Sequence, residues 1–430
     1  PFQDAGALAL KNIAHPVRAW RWGGEAAAPA RKSVPTDIPS IAVLPFANMS
    51  GDPEQEHFAD GLVEDIITTL SKLAGLRVIA RNSSFVYKGK AVDIREAARQ
   101  LGVQYVLEGS VRRGGNRIRI TAQLIEAATG THVWAERYDR AMDDIFAVQD
   151  EITLVLATEM QVKLTEGEQA RIHYNTTTNV EAWTYWVQGL THFREAVTRE
   201  NTGKALACWE KALSLDPGSA VLNARVGFMH YVDARFGWRG SREARLNKAI
   251  EFTDRAMELD PENADANIST AFTRLWSRKF EEAAALARRA TELAPGSAEV
   301  VSLACFVLAF AGYPQEAVLH GERAMQLSPS HPGYHLGQLG NAYRLVGRTE
   351  EAIAAFKAYH ARAPGFGLVD LVLTYGRSGR PEEAARMAAE LISIRQDFTI
   401  SRWAETQIRA DSDDLEADIA ALRAAGLPEE

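Results

Sequence analysis

The sequence predicts an α+β multidomain chain: a small α/β domain followed by an all-α superhelix of repeated helix pairs. Two observations carry this. Between Ile41 and Leu164 short apolar runs of strand length alternate with stretches of helical periodicity. From Asn179 onward, prolines that end helices recur at Pro217, Pro261, Pro295, Pro329 and Pro364, spaced 44, 34, 34 and 35 residues apart.

In the first region, "IAVLPF" (41–46) reads as a buried strand, and Glu56 to Lys72 as an amphipathic helix with Leu62, Ile66, Leu70 and Leu73 on one face. "LRVIA" is a second strand and Asp93 to Leu101 a short helix. "YVLEGSV", "NRIRITAQLIEA" and "HVWAERY" follow as three strands. Gly114 and Gly115 in "RRGGNR", and Gly130 in "ATGTH", sit where hairpins need positive φ, so these strands form an antiparallel meander. A helix from Asp143 to about Leu164 offers Ile145, Val148, Ile152, Val155 and Leu156 to the sheet.

In the second region a 34-residue period is that of tetratricopeptide repeats, pairs of helices that bury their apolar faces by stacking. Ala205, Ala249, Ala283, Ala317, Ala352 and Ala384 recur where each second helix packs closest. The clearest copy holds Leu339, Gly340, Asn341, Ala342, Tyr343, Gly347 and Ala352 in the pattern of that repeat. About six repeats are expected over 179–398, with one or two helices over 399–430 covering the exposed end.

Before these regions, Pro16 to Trp22 reads as a strand that cannot bury its own faces, and is expected to pair with sequence upstream. Residues 23–39 lack periodicity and read as a linker. A net charge of −8 argues against nucleic acid as a main partner. No run reaches the ~18 apolar residues of a membrane span, and no signal peptide is recognised. Cys208 and Cys305 lie in helical patterns and suit reduced thiols. Together these features predict a cytoplasmic location.

Leu10, Lys11, Asn12, Ile13, Pro16 and Val17, with Trp20 where an aromatic is usual, resemble the closing strand of class III adenylate/guanylate cyclase domains. "IAVLPFANMSGDPEQEHFADGL", "VIARNSSF", "LGVQYVLEGSVRR" and "ITAQLIEAATGTHVWAERYD" resemble, in that order, the TolB-type amino-terminal domain of bacterial regulatory proteins. These resemblances imply the end of a cyclase domain (1–22), a linker (23–39), a TolB-like α/β domain (40–165), the repeats (179–398) and a cap (399–430). They imply a regulatory, protein-interaction region of a bacterial adenylate cyclase in cAMP signalling, whose output depends on how two cyclase protomers meet. Such a region could form a homodimer. Mg or Mn and ATP are then expected only for a cyclase domain upstream. The sensor region of a winged-helix transcription regulator and a stand-alone repeat scaffold remain as alternatives.

No catalytic centre is predicted within these residues: they contain no Walker loop, no Gly-x-Gly-x-x-Gly, no HExxH and no Cys-x-x-Cys pair. His331 and His335 are separated by Pro332 and Gly333, a poor frame for a metal. Loops after the first two strands could gather Asn48, Ser50, Asp52, Arg81, Asn82 and Ser83 into a small-molecule site, or these residues cap turns and helix starts. Arg112, Arg113, Arg117 and Arg119 could meet phosphate, or form the wet face of a hairpin. In the repeats, Phe228, Tyr231, Phe272, Leu275, Phe306, Asn341, Arg344 and Leu373 are predicted on the concave face, where they would hold a protein or peptide. The alternative is that Phe272 and Phe306 pack between helices or are covered by the terminal segment.

Overall fold

The computed structural model of the chain describes residues 2–8, 17–22, 38–52, 55–90, 93–165, 176–195 and 198–430. The first body, within Pro1–Asp37, is a hairpin: β1 (Phe2–Leu8) pairs antiparallel with β2 (Val17–Trp22), with a register shift between Asp4 and Gly6. The strand expected to need an upstream partner therefore finds one inside the chain, in "FQDAGAL", whose Gly and Ala give little strand signal. Leu10, Lys11, Asn12, Ile13, Pro16 and nearly all of the 23–39 linker lie outside the described residues.

The second body, Ile38–Glu430, begins with a small sheet domain. Its strands are β3 (Ser40–Val43), β4 (Ala47–Asn48), β5 (Arg77–Val78), β6 (Tyr105–Gly114), β7 (Arg117–Glu126) and β8 (His132–Ala141). The order is β5-β3-β6-β7-β8, with β4 beside β6; β3 runs parallel to its neighbours and β6 to β8 form the antiparallel meander. The run expected as one strand breaks after Val43, because Pro45 has no N–H for the ladder; pairing resumes at Ala47. Of the two turn glycines after β6, Gly115 carries the positive φ, and Gly114 ends the strand.

Helix α1 (Glu56–Leu70) and α4 (Ile145–Glu159) cover one face, burying Leu62, Ile66, Leu70, Ile145, Ile152 and Leu156 against Ile118, Ile120 and Leu124 of β7. The last helix was expected to reach Leu164, but the left-handed backbone at Gln161 follows its end at Glu159. α3 (Ile94–Leu101), capped by the Asp93 side chain, closes the other face with Ala98 and Leu101 against Ala42 and Val106. "RNSS", expected as loop, is a one-turn helix, α2 (Arg81–Ser84).

Twelve helices then form six pairs: α5 and α6 (Val180–Glu195, Arg199–Leu215), α7 and α8 (Ala220–Phe236, Arg242–Leu259), α9 and α10 (Ala264–Trp276, Phe280–Leu293), α11 and α12 (Ala298–Phe310, Pro314–Leu327), α13 and α14 (Gly333–Leu345, Thr349–Arg362), α15 and α16 (Leu368–Arg377, Pro381–Ile394). Each first helix packs on its own second helix, and most also touch the first helix of the next pair. The recurring alanines are buried at these crossings. The result is a tetratricopeptide-type superhelix with the first helices on its inner face. α17 (Ile400–Ala404) and α18 (Ser412–Ala424) finish the stack, α18 covering α15. Among the described residues no helix is long and apolar enough to cross a membrane.

Candidate functional site

The sheet domain docks on the ends at which the inner helices begin. Trp183, near the start of α5, is the pivot. Its ring meets Phe58 edge-on at 5.2 Å and Phe146 at 6.3 Å, and its Nε1 donates to Asp65 Oδ2 at 2.5 Å. Gln149 of α4 donates to the same oxygen at 3.0 Å. α1 approaches α5 closely enough that a Cβ on Gly61 would lie 2.4 Å from a Val187 methyl. Further along the rim, Gly296 N donates to Ser71 O and Ala80 N to Leu327 O, both at 2.9 Å. Ser330 N donates to Ser83 Oγ, also at 2.9 Å. Burial pushes the Asp65 carboxyl up to about 7, although both donors favour its ionised form.

The opposite rim, where the inner helices end, is covered by the segment between α17 and α18. Ala410 N donates to Phe310 O at 2.9 Å, and Thr406, Gln407 and Ile408 lie against Tyr231, Leu275, Trp276 and Phe306. A charge cluster fixes this strap. Fully buried Asp418 accepts from Arg344 and Arg377 at 3.0 Å and from Arg409 at 2.6 Å, while Asp414 pairs with Arg377 and Arg409.

Between the two rims lies a cavity of about 1490 Å³. One wall is an aromatic ladder: Phe228 of α7 to Phe272 of α9 at 5.3 Å, Phe272 to Phe306 of α11 at 5.5 Å, and along α11 Phe306 to Phe310 at 4.7 Å. Arg235 lies 4.7 Å over the Phe306 ring and donates to Tyr231 Oη at 3.3 Å, with no carboxylate at ion-pair distance among the described residues. Arg225, by contrast, is held by Asp265 and Glu299, each at 3.1 Å. His335 borders the cavity, with both ring nitrogens buried away from it. Burial drives its imidazole down to about 3, so it is neutral, and neither ring nitrogen has a hydrogen-bond partner among the described residues.

Of the eight residues predicted on the concave face, Phe228, Tyr231, Phe272, Phe306 and Asn341 line this cavity. Phe272 is largely buried in ring-to-ring packing, the inter-helix alternative given for it, and Phe228 and Tyr231 are buried in the same packing, while Phe306 is half-buried and partly under the strap. Three are corrections. Leu373, 1% exposed, is in the core formed by α14 to α18, because α18 covers that turn of α15. Leu275, 2% exposed, sits under the strap. Arg344 is committed to Asp418. The Asn341 amide donates to Gly337 O at 3.0 Å, one turn back along its own helix.

The six loop residues of the sheet domain do not make one site. Asn48 Nδ2 donates to Asp52 O and Asn48 Oδ1 accepts from Ser50 N, both at 2.9 Å, and Ser50 Oγ accepts from Arg113 N. That is the turn-capping alternative. Ser83 is buried at the docking rim; Arg81 and Asn82 reach the cavity, with Arg81 paired to Glu64 at 2.9 Å. Arg117 and Arg119 both pair with Asp139 on the hairpin's wet face. His331 Nδ1 is 2.8 Å from Arg362. Sequence reasoning missed Trp183, Asp65 and Arg235; the strap over Phe306 is the cover by the terminal segment given as an alternative. The one available signal was Gly61, a glycine inside a helical pattern, which usually marks close packing.

Residues 36–155, which include the whole sheet of the second body, match the family model described as HilA/YgeH-like transcriptional regulator, second domain. The chain is 44% identical over 292 residues to "Putative adenylate cyclase 3" of Rhizobium meliloti (strain 1021), a match covering 66% of this chain and 49% of the relative. The chain thus spans about half the length of that relative. Similar solved structures include the tetratricopeptide proteins YrrB (21% identity, TM-score 0.30, 44% of this chain and 93% of that one) and TTC0263 of Thermus thermophilus (20%, 0.35, 48% and 99%).

Proposed function

We propose that this chain is the regulatory, protein-interaction region of a bacterial adenylate cyclase, and that the cavity between the two rims takes a segment of a protein or peptide. The observation that supports this most is the cavity itself: an aromatic ladder for apolar side chains, with Arg235 beside it and without an ion-pair partner among the described residues. The named relative supports the cyclase context. Because the walls come from the sheet domain, the repeats and the strap, a ligand that fits one arrangement of the three better than another shifts their balance. In a cyclase this would alter how two protomers meet. Mg or Mn and ATP belong, on this reading, to a catalytic domain outside these residues, and the described chain binds without catalysing.

Selection of a displayed random-peptide library against the 430-residue chain tests the ligand class. Selected peptides should lose at least tenfold in affinity for Leu303→Trp, which fills the cavity from α11. Equal binding to both proteins would place the peptide elsewhere and defeat the reading.

The match to a transcription-regulator domain favours a second reading, in which the same cavity serves a DNA-binding output. Expressing a longer protein that contains these residues in cells lacking their own cyclase separates the two. A rise in cAMP supports the first; specific DNA retention without cAMP supports the second.

A further inference from the structure

The sheet domain ends on an unusual edge. β8 is the terminal strand of its sheet, ten residues long, while β5 at the other edge has two. Among the described residues, only β7 pairs with it. A long free edge is an open template for another strand.

We propose that β8 pairs antiparallel with β8 of a second copy of this chain, centred on Tyr138. The stretch Ala135–Ala141 reads A-E-R-Y-D-R-A. In a two-fold antiparallel pair about Tyr138, Arg137 of one copy lies opposite Asp139 of the other, Glu136 opposite Arg140, and Ala135 opposite Ala141. All four charged pairs are attractive, and cross-strand pairs of opposite sign stabilise a ladder. Moving the centre one residue puts Arg137 against Arg137 or Asp139 against Asp139. The charge pattern therefore selects one register.

The side chains are placed for it. Glu136, Arg137 and Arg140 are exposed. Glu136 and Arg137 have no ionic partner among the described residues, and Arg140 donates only to the neighbouring Asp139 carbonyl. Asp139 already carries Arg117 and Arg119 within the copy, so Arg137 shares its carboxylate and the Glu136–Arg140 pairs decide the specificity. Even-numbered Trp134, Glu136, Tyr138 and Arg140 share one face of the sheet, opposite Leu124, Ala122, Ile120 and Ile118. Tyr138 is buried there, which holds the centre of the pair rigid. The register shift opposite Leu124 and Ile125 ends regular pairing before Trp134, leaving the seven residues of the motif straight. One strand pair is small beside a standard interface of about 1,600 Å², so the copies are expected to associate reversibly, at micromolar concentrations. This inference does not rest on the cyclase reading and holds for either output.

Sedimentation equilibrium of the 430-residue chain across micromolar concentrations is the test. The wild-type protein should approach twice the chain mass. Glu136→Arg and Arg140→Glu each set like charges opposite one another twice per dimer, and each should weaken association at least tenfold. The double variant E136R/R140E restores attraction and should recover the dimer. A wild-type chain that stays monomeric, or a double variant no better than the singles, overturns the proposal. A second measurement fixes the register: the Ala135→Cys, Ala141→Cys variant should form disulfide-linked dimers on mild oxidation. Those cysteines are six residues apart on one strand, too far to bridge within a copy. Failure to cross-link, with the native circular dichroism spectrum retained, also overturns it.

Discussion

Where α1 meets the first repeat, one carboxylate in an apolar setting, Asp65, accepts from Trp183 and Gln149. At the far rim two carboxylates, Asp414 and Asp418, are shared among Arg344, Arg377 and Arg409. Both rims close the same cavity, yet the first is held by burial and shape and the second by paired charge. The first therefore answers to protons near neutrality. The second, built of shared ion pairs, answers to loss of a partner.

The largest effect expected is at the strap. Asp418→Ala leaves Arg344 and Arg409, both almost fully buried, short of their shared carboxylate. Breaking a buried pair from one side costs about 3–5 kcal/mol. Urea unfolding should show a loss of that order, and a loss below about 1 kcal/mol would mean that packing, not charge, holds the strap.

Gly61→Leu attacks the other rim. Its side chain must enter space held by Val187 and Trp183, and overpacking of this kind costs about 1–3 kcal/mol. The emission of Trp183 should shift to the red as the sheet domain lifts away. An unchanged spectrum would show that the contact can yield elsewhere.

Smallest is the pH effect. The Asp65 carboxyl, ordinarily at 3.8, is raised to about 7 in the folded protein. Below pH 3.8 both states are neutral and the fold keeps its full benefit; as pH rises toward 7 the unfolded chain ionises freely while the folded one resists, so stability falls across that window. Buried His230 and His335, held down to about 4 and about 3, act in the opposite direction as pH drops below 6.5. Comparison with Asp65→Asn isolates the carboxylate. The wild type should lose melting temperature between pH 5 and pH 8 relative to the variant, and parallel curves would refute the assignment.

The periodic features were readable in the sequence. Each proline of the 34-residue series lies two residues beyond the end of a second helix, from Leu215 before Pro217 to Arg362 before Pro364. "NRIRITAQLIEA" was expected as a strand, and in β7 Ile118, Ile120, Ala122 and Leu124 are the alternate residues that are buried. These signals are local, set by backbone geometry and one buried face. The docking of the two parts was not readable, since Trp183 meets Asp65 across 118 residues and Ser83 meets Ser330 across 247. Neither contact leaves a period. The cavity was half legible: Phe228, Phe272 and Phe306 were placed on the inner face and cover by the terminal segment was weighed, but what fixes that segment, Arg409 with Asp418, looks like ordinary surface charge in sequence.

A stack of helix pairs usually behaves as a spring, since each pair touches only its neighbours and the pitch can open or close turn by turn. Here the sheet domain holds the first pair, the loop between the third and fourth pairs and the end of the fourth at once, through Trp183, Gly296 and Leu327. Stitched at three points along its length, the coil cannot stretch without shedding the domain. Tension applied to its ends should thus be resisted stiffly and then released in one step, making the superhelix a latch with a threshold.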